Sequence, residues 1–476
     1  MTAPAFNLYT AMRSLLRLAL GFYFRRIERF HPDRVPKEGP VLFTSNHPNS
    51  LTDSFIIGAS VPRKVNFVAT VQLFRFKPLK RLFTHCGVIP INRVKDDPRA
   101  MRTVAETFEA CFRALEKGEA VGIFPEGITY DDAQLKEIKS GAARMALELE
   151  HRHQGKLGLK IVPTGLTYSA KELYRSDALI HFGEPIAAAD FLEGYAERRK
   201  ECIQRLTCEI EHRLQTLIVH LPQLEHSRLV EGIKRLYLNR LVLSNSIVHE
   251  PISPQAEELV LSQAIVRVVE QAYQTQPERA AEFAARLDLY ERRLMRLKIS
   301  DEWLATFPDK TKLMRHAVAW AVVTITGLPI ALYGWLHRVL PFAIVKWAVH
   351  RFPQPATRKA QTSTTTIVCG IAAFGVLYTA YVLVFNSLFG WPWSLWYALS
   401  LPPTSLLAHY FSRRVRHLAG GVRNALILLQ APLAAKRLAT MRINLVAEIE
   451  AVRIKSANLS PKQSGVERGT SRPAAR

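Results

Sequence analysis

The sequence predicts an α/β fold: a mostly parallel sheet flanked by helices, followed by a helical region and C-terminal transmembrane helices. Three observations carry this expectation. Short apolar, β-like runs alternate with helical patterns from about residue 30 to 220. The next stretch, 223–312, keeps helical periodicity and many charges but has no strand signal. Beyond it, charge-free apolar stretches reach the length a bilayer span needs, about 20 residues.

The elements follow in order. Residues 1–29 are expected to form an interfacial amphipathic helix. "LYTAMRSLLRLALGFYFRRIERF" places Arg13 and Arg17 one turn apart, with Leu8, Met12, Leu15, Leu16 and Ala19 elsewhere on the cylinder. It does not resemble a secretory signal, because Arg17 interrupts the apolar run and no small-residue cleavage site follows. Residues 30–222 form the α/β domain. Its expected strands are "VLFTSN" (41–46), "VNFVAT" (65–70), "GVIPIN" (87–92), "AVGIFPEG" (120–127), "KIVPTGLTY" (160–168) and "ALIHFGEPI" (178–186). "DPRAMRTVAETFEACFRALEKG" and "IKSGAARMALELEHRH" are the helices between them.

Residues 223–312 are a soluble helical region and 313–412 a transmembrane region. Ala317 to Leu336 carries no charge, and Gly327 and Pro329 suggest a kink. Both ends of 317–349 are basic and it is short for two full spans, which predicts a re-entrant element or a tight pair. From Ala360 to Ser412 there is no Asp, Glu, Lys or Arg. That length fits two spans joined near Asn386–Pro392, with a Trp cluster at one interface. Arg358 and Lys359 precede the pair and Arg413, Arg414 and Arg416 follow it, so the positive-inside rule puts both ends in the cytoplasm. Residues 413–454 read as an amphipathic helical tail and 455–476 as a disordered basic tail.

The chain has 476 residues and a formal net charge of +23, which calls for an anionic partner. No zinc-finger spacing, RNA-binding aromatic signature or GxxG clamp supports a nucleic-acid partner. The apolar stretches favour an anionic membrane surface instead. Cys86, Cys111, Cys202, Cys208 and Cys369 are odd in number and scattered, so neither a disulfide framework nor a metal site is expected.

Chemistry concentrates in "NHPNSLTD" (46–53), where polar residues stand at the end of a buried run. Such groups cost free energy unless they are paired or used. An alcohol is a poor nucleophile at neutral pH, so a base must take its proton as it attacks a carbonyl. His47 suits that task, and Asp53 is the carboxylate to fix its tautomer and stabilise the imidazolium. Pro48 at a helix start leaves the imidazole exposed. An ordinary capping cluster at a strand–helix junction is the alternative for this stretch alone.

Three further stretches decide against that alternative: "GVIPINR" (87–93), "FPEGITY" (124–130) and "IVPTGLTY" (161–168). In this order and spacing the four resemble the motifs of the glycerolipid acyltransferase family, over roughly residues 30–190. "LKEIKSGAARMAL" and "FGEPI" strengthen the likeness. The common family pattern has four residues between His and Asp, whereas Pro48 to Thr52 make five here. The longer form resembles a subgroup that includes fungal glycerol-phosphate and dihydroxyacetone-phosphate acyltransferases and bacterial relatives. A bulge or tighter turn must absorb the extra residue.

The resemblance implies the remaining roles. Arg93 would bind the acceptor phosphate through its planar fork, and Gly87 would allow close backbone approach. Asn46, Phe124, Pro125, Glu126, Gly127 and Pro163 would line the substrate site, with Glu126 binding the acceptor or ordering its loop and Pro163 mainly structural. The arginine that often follows FPEG in the family is missing, and Lys139, with Arg144, would compensate.

The implied activity is a membrane-bound O-acyltransferase on the cytoplasmic face. It would move a fatty acyl group from acyl-CoA or acyl-carrier protein, as co-substrate rather than cofactor, to glycerol 3-phosphate or dihydroxyacetone phosphate. Lysophosphatidate is the alternative acceptor. A thioesterase would leave Arg93 without a purpose, and a catalytically silent lipid-binding scaffold would leave His47, Asp53 and Glu126 without one.

Overall fold

The computed structural model describes residues 8–74, 77–91, 101–130, 134–241, 254–301, 304, 310–352 and 358–459. The chain divides into two compact units. One comprises 1–224, 250–263 and 325–413; the other comprises 225–249, 264–324 and 414–476.

The first unit is built on an eight-stranded sheet. Its strands are β1 (Arg26–Phe30), β2 (Val41–Ser45), β3 (Val65–Thr70), β4 (Ile89–Ile91), β5 (Ala120–Ile123), β6 (Lys160–Tyr168), β7 (Asp177–Phe182) and β8 (Ile186–Ala187). The order is β1-β7-β6-β2-β5-β3-β4, with β8 also paired to β6. Strands β6, β2, β5, β3 and β4 run parallel, while β7 and β8 are antiparallel to β6. The helices are α1 (Leu8–Tyr23), α2 (Leu51–Ser60), α3 (Lys77–His85), α4 (Met101–Glu116), α5 (Gly141–Arg152) and α6 (Arg199–Leu217).

Side-chain alternation along β2 divides the core between the two faces of the sheet. Leu42 belongs with Phe112, Met145, Leu149, Leu206 and Ile210 under α4, α5 and α6. Val41 and Phe43 belong with Leu20, Tyr23, Ile56 and Ile57 under α1 and α2. Five consecutive residues of β2 are buried, as expected of a central strand covered on both faces.

Two expectations change here. The helix read over residues 8–30 stops at Tyr23, and Arg26–Phe30 becomes β1, parallel to β7. Arg25 pairs with Asp177 at the start of that ladder (Nε to Oδ1, 2.9 Å), a partner that local periodicity does not reveal. The run 178–186 is two strands, β7 and β8, rather than one. Arg13 and Arg17 also turn toward α2, donating to the Val61 carbonyl and, at 3.0 Å, the Ala59 carbonyl at its C-terminal end. Cations are favoured there by unpaired carbonyls. The exposed apolar residues of α1 are Leu8, Leu15, Leu18 and Phe22.

Further along lie α7 (Ser227–Leu241), α8 (Pro254–Thr275), α9 (Pro277–Leu297), α10 (Lys310–Arg351), α11 (Arg358–Phe389), α12 (Trp391–Gln430) and α13 (Pro432–Leu459). The second unit is helical, and Asp301 accepts from the Tyr290 hydroxyl and from Arg442 (3.0 Å), while Arg286 pairs with Glu448. The expected re-entrant element or tight pair at 317–349 is instead part of one continuous helix, α10, with Pro329 and Pro341 inside it. Among the described residues, two stretches, Ala321–Arg351 and Gln361–Phe389, are long and apolar enough to cross a membrane, and only 22% and 11% of their apolar windows are buried. The core helix of a soluble protein would be mostly buried. Ile325, Trp335, Leu336, Val376, Leu383 and Leu388 are instead exposed, which suits a lipid environment.

Candidate active site

Strands β5, β2 and β6 are adjacent and parallel, so their C-terminal ends meet at one edge of the sheet. Open α/β sheets place ligands at such an edge. Here β2 delivers Asn46 and His47, β5 delivers Phe124 to Gly127, and β6 ends on Tyr168. The first turn of α2 then brings Asp53 back to His47.

The His47 Nδ1 lies 2.9 Å from Asp53 Oδ2. The same oxygen accepts from the Asn49 backbone N–H at 2.7 Å, and Asp53 Oδ1 accepts from the Tyr168 hydroxyl at 2.6 Å. The Asp53 side chain is fully buried, whereas the His47 side chain keeps 15% exposure. A buried carboxylate needs such partners to remain charged. Burial first, then the Asp53 charge, raises the Tyr168 pKa well above its ordinary value, so the phenol stays a donor. With Nδ1–H directed at Asp53, Nε2 is the acceptor, which is the tautomer a general base requires. The imidazole stacks on Phe124 (centroids 4.0 Å apart, planes 17° apart), which fixes the ring plane.

Residues 26–167 match the family model described as Acyltransferase. They form an acyltransferase-family domain. A Saccharomyces cerevisiae glycerol-3-phosphate O-acyltransferase 1 is 32% identical over 136 residues, 28% of this chain and 18% of its own. An uncharacterized acyltransferase of Schizosaccharomyces pombe is 34% identical over 127 residues, 26% of this chain and 19% of its own. A 1-acyl-sn-glycerol-3-phosphate acyltransferase of Borreliella burgdorferi is 23% identical over 175 residues, 37% of this chain and 64% of its own. The match thus spans about a fifth of the length of the two yeast relatives.

Within the five-residue connection between His47 and Asp53, Ser50 has φ 53° and ψ −138° as the residue before α2. That conformation is strained for a residue with a Cβ. The Ser50 side chain makes no cap hydrogen bond.

Glu126 holds the loops rather than projecting free carboxylate oxygens. Its Oε1 accepts from the His47 backbone N–H at 2.8 Å and its Oε2 from the Lys136 N–H at 3.2 Å. Burial raises its pKa, and the two N–H groups oppose that shift. Of the two roles considered for Glu126, this geometry favours ordering the loop. Phe124 to Gly127 form a turn closed by Gly127 N to Phe124 O at 3.0 Å. Gly127 has φ +75°, and a Cβ there would lie 2.8 Å from Lys139 Nζ. Lys139 therefore covers the turn after which the arginine is missing, and its backbone N–H bonds to Pro125 O at 2.9 Å. Arg144 lies over the Phe108 ring, 4.7 Å from its centroid.

Asn46, Gly87 and Pro163 all make contacts within the scaffold. The Asn46 amide is bonded in both directions to Leu166, donating at 3.0 Å and accepting at 2.7 Å, and so ties the end of β2 to β6. Gly87, at φ +79°, makes room for the Asn66 and Lys64 side chains. Pro163 is buried within β6 opposite Thr44. Arg93 lies outside the described residues. Sequence reasoning missed Tyr168, although "TGLTY" puts it at a strand end, and missed Asn49, whose backbone N–H reaches Asp53. Among the described residues, no group of three or more His, Cys, Asp or Glu is placed to hold a metal ion.

Proposed function

We propose that the chain is a membrane-bound glycerolipid O-acyltransferase. It transfers a fatty acyl group from an acyl thioester to the hydroxyl of glycerol 3-phosphate or dihydroxyacetone phosphate. The observation that carries the proposal is the Tyr168–Asp53–His47 chain at the sheet edge, with one ring nitrogen paired and the ring partly open to solvent. His47 Nε2 takes the hydroxyl proton as the alkoxide oxygen bonds to the thioester carbonyl. Asp53 stabilises the imidazolium. The tetrahedral intermediate collapses, the C–S bond breaks, and His47 returns the proton to the departing thiolate. Arg93 and Lys139 bind the acceptor phosphate, and the exposed apolar helices seat the domain at the lipid surface from which the product diffuses. The family match and the yeast relative named for glycerol 3-phosphate support this reading. The relative named for 1-acyl-sn-glycerol 3-phosphate supports lysophosphatidate as the second acceptor.

The test is a parallel assay of membranes with labelled acyl-CoA and glycerol 3-phosphate, dihydroxyacetone phosphate or lysophosphatidate. One acceptor should dominate, and His47→Ala should lower its turnover at least about a hundredfold. Equal turnover in both proteins would remove His47 from the mechanism and leave a lipid-binding scaffold as the better description.

A further inference from the structure

The turn that carries His47 and Asp53 is held from outside the acyltransferase domain's sequence. Ser363, fully buried on α11, places its hydroxyl 2.6 Å from Asn49 Oδ1 and 3.0 Å from Thr52 Oγ1. Thr364 Oγ1 lies 2.9 Å from Thr52 Oγ1 and accepts from the Thr52 backbone N–H at 3.1 Å. Ser363 donates to Asn49 Oδ1, and the Thr52 hydroxyl joins Ser363 and Thr364 into one hydrogen-bonded chain. One helical turn further on, Ile367 packs into the core cluster that contains Ile56 and Ile57 of α2.

These contacts fall on both flanks of Ser50. Asn49 precedes it and supplies one of the N–H groups on Asp53 Oδ2; Thr52 follows it in the first turn of α2. Helix N-termini carry N–H groups without intrahelical partners, usually met by the capping side chain. The Ser50 side chain makes no such bond, and the Thr52 N–H is shared between the Asn49 carbonyl at 3.2 Å and Thr364 Oγ1 at 3.1 Å. A strained residue persists only where its surroundings over-determine it.

We propose that Ser363 and Thr364 are positioning residues of the catalytic turn. On this view α11, whose stretch Gln361–Phe389 is apolar enough to span a membrane, is also a working part of the active site. The pair holds the five-residue His-to-Asp connection in register, so that Asp53 meets His47 and Asn49 together. This rests on the proposed acyltransferase function for its catalytic consequence and on the geometry alone for its structural one.

Thr364 gives the cleanest test, since Val keeps its shape without the hydroxyl and Ser keeps the hydroxyl without the methyl. The full-length chain, in detergent–lipid micelles, is assayed with palmitoyl-CoA and glycerol 3-phosphate. Thr364→Val should lower kcat about tenfold with the acceptor KM within about twofold. Thr364→Ser should stay near wild type. A packing role predicts the opposite order. Thr366→Val removes a hydroxyl that bonds only its own helix at the Thr362 carbonyl, and it should change nothing. Amide exchange over residues 47–53 gives a second readout independent of activity, expected to quicken about tenfold in Thr364→Val and not in Thr364→Ser. Unchanged exchange in Thr364→Val, or equal damage from Val and Ser, would overturn the proposal. An inactive wild-type chain whose exchange still follows the hydroxyl would overturn the acyltransferase reading while leaving the latch intact.

Discussion

Asp53→Asn offers the sharpest test of the site, because both carboxylate oxygens of Asp53 are engaged. Its Oδ2 takes His47 Nδ1 and the Asn49 N–H, and its Oδ1 takes the Tyr168 hydroxyl. An asparagine must place its carbonyl on one side and its amide on the other. With the carbonyl at the Oδ2 position, the His47 tautomer survives but the imidazolium loses the negative charge 2.9 Å away. At an effective dielectric constant of about 20, that charge is worth about 4–6 kcal/mol to the protonated ring, or three to four orders of magnitude in rate. With the amide at that position, two N–H donors confront one another and His47 must invert its tautomer, which disables the base. Both orientations predict a loss of about a thousandfold or more in kcat. Acceptor KM should change little, since Asp53 is fully buried behind His47. Steady-state acylation of glycerol 3-phosphate, alongside thermal unfolding of the same preparations, reads the effect. An Asp53→Asn protein within tenfold of wild type, beside an inactive His47→Ala, would refute the pairing as the source of the base's strength.

Other perturbations test separate parts of the structure. Ser50→Gly should stabilise the domain by about 1 kcal/mol, since relief of strain at φ 53° outweighs the added freedom of the unfolded chain; a lower Tm would refute that. His181 has its pKa lowered to about 4, chiefly by burial and then by the neighbouring His31. The unfolded chain then binds the extra proton between pH 6.5 and about 4, so stability present at neutral pH declines as pH falls through that window. His181→Phe should remove about 1.5–2 kcal/mol of the decline between pH 6.5 and 5, measured by denaturant midpoints at each pH. Arg93→Ala should raise the KM for glycerol 3-phosphate about ten- to a hundredfold with a smaller effect from Lys139→Ala, and equal losses on free glycerol would show that neither reads the phosphate. Exposed Cys208 and a cysteine introduced by Arg476→Cys should both react with an impermeant reagent from the cytoplasmic face; access from opposite faces would overturn the expectation that both ends of the apolar region are cytoplasmic.

The parts of the fold written in local pattern were legible. Buried runs such as "VLFTS" and "KIVPTGLTY" announced the central strands, because parallel strands covered on both faces need continuous apolar residues. The edge strand β1 was not legible. "RIERF" follows a helix without a turn signal, and its identity comes from β7, about 150 residues away. The His47–Asp53 pair was readable from its chemistry, but its environment was not. Tyr168 reaches Asp53 from across 115 residues. The two bonds of the Asn46 amide to Leu166 likewise depend on the sheet order, which sets β6 beside β2. Long-range pairing, not residue type, decided each of these cases.

The extra residue between His47 and Asp53 ties these observations together. The five-residue connection includes one residue in an unfavourable backbone conformation. That conformation falls on Ser50, and it costs about 1–3 kcal/mol. Its neighbours on both sides are bonded to α11, a helix more than 300 residues later. In the proposed reading α11 braces this connection from outside it. The same contact fixes where the catalytic edge stands relative to the start of the apolar stretch at Gln361. In the proposed reaction, a water-soluble acceptor phosphate and a lipid-soluble acyl chain both reach His47. A site braced at the start of a helix apolar enough to cross a membrane suits that requirement by its position.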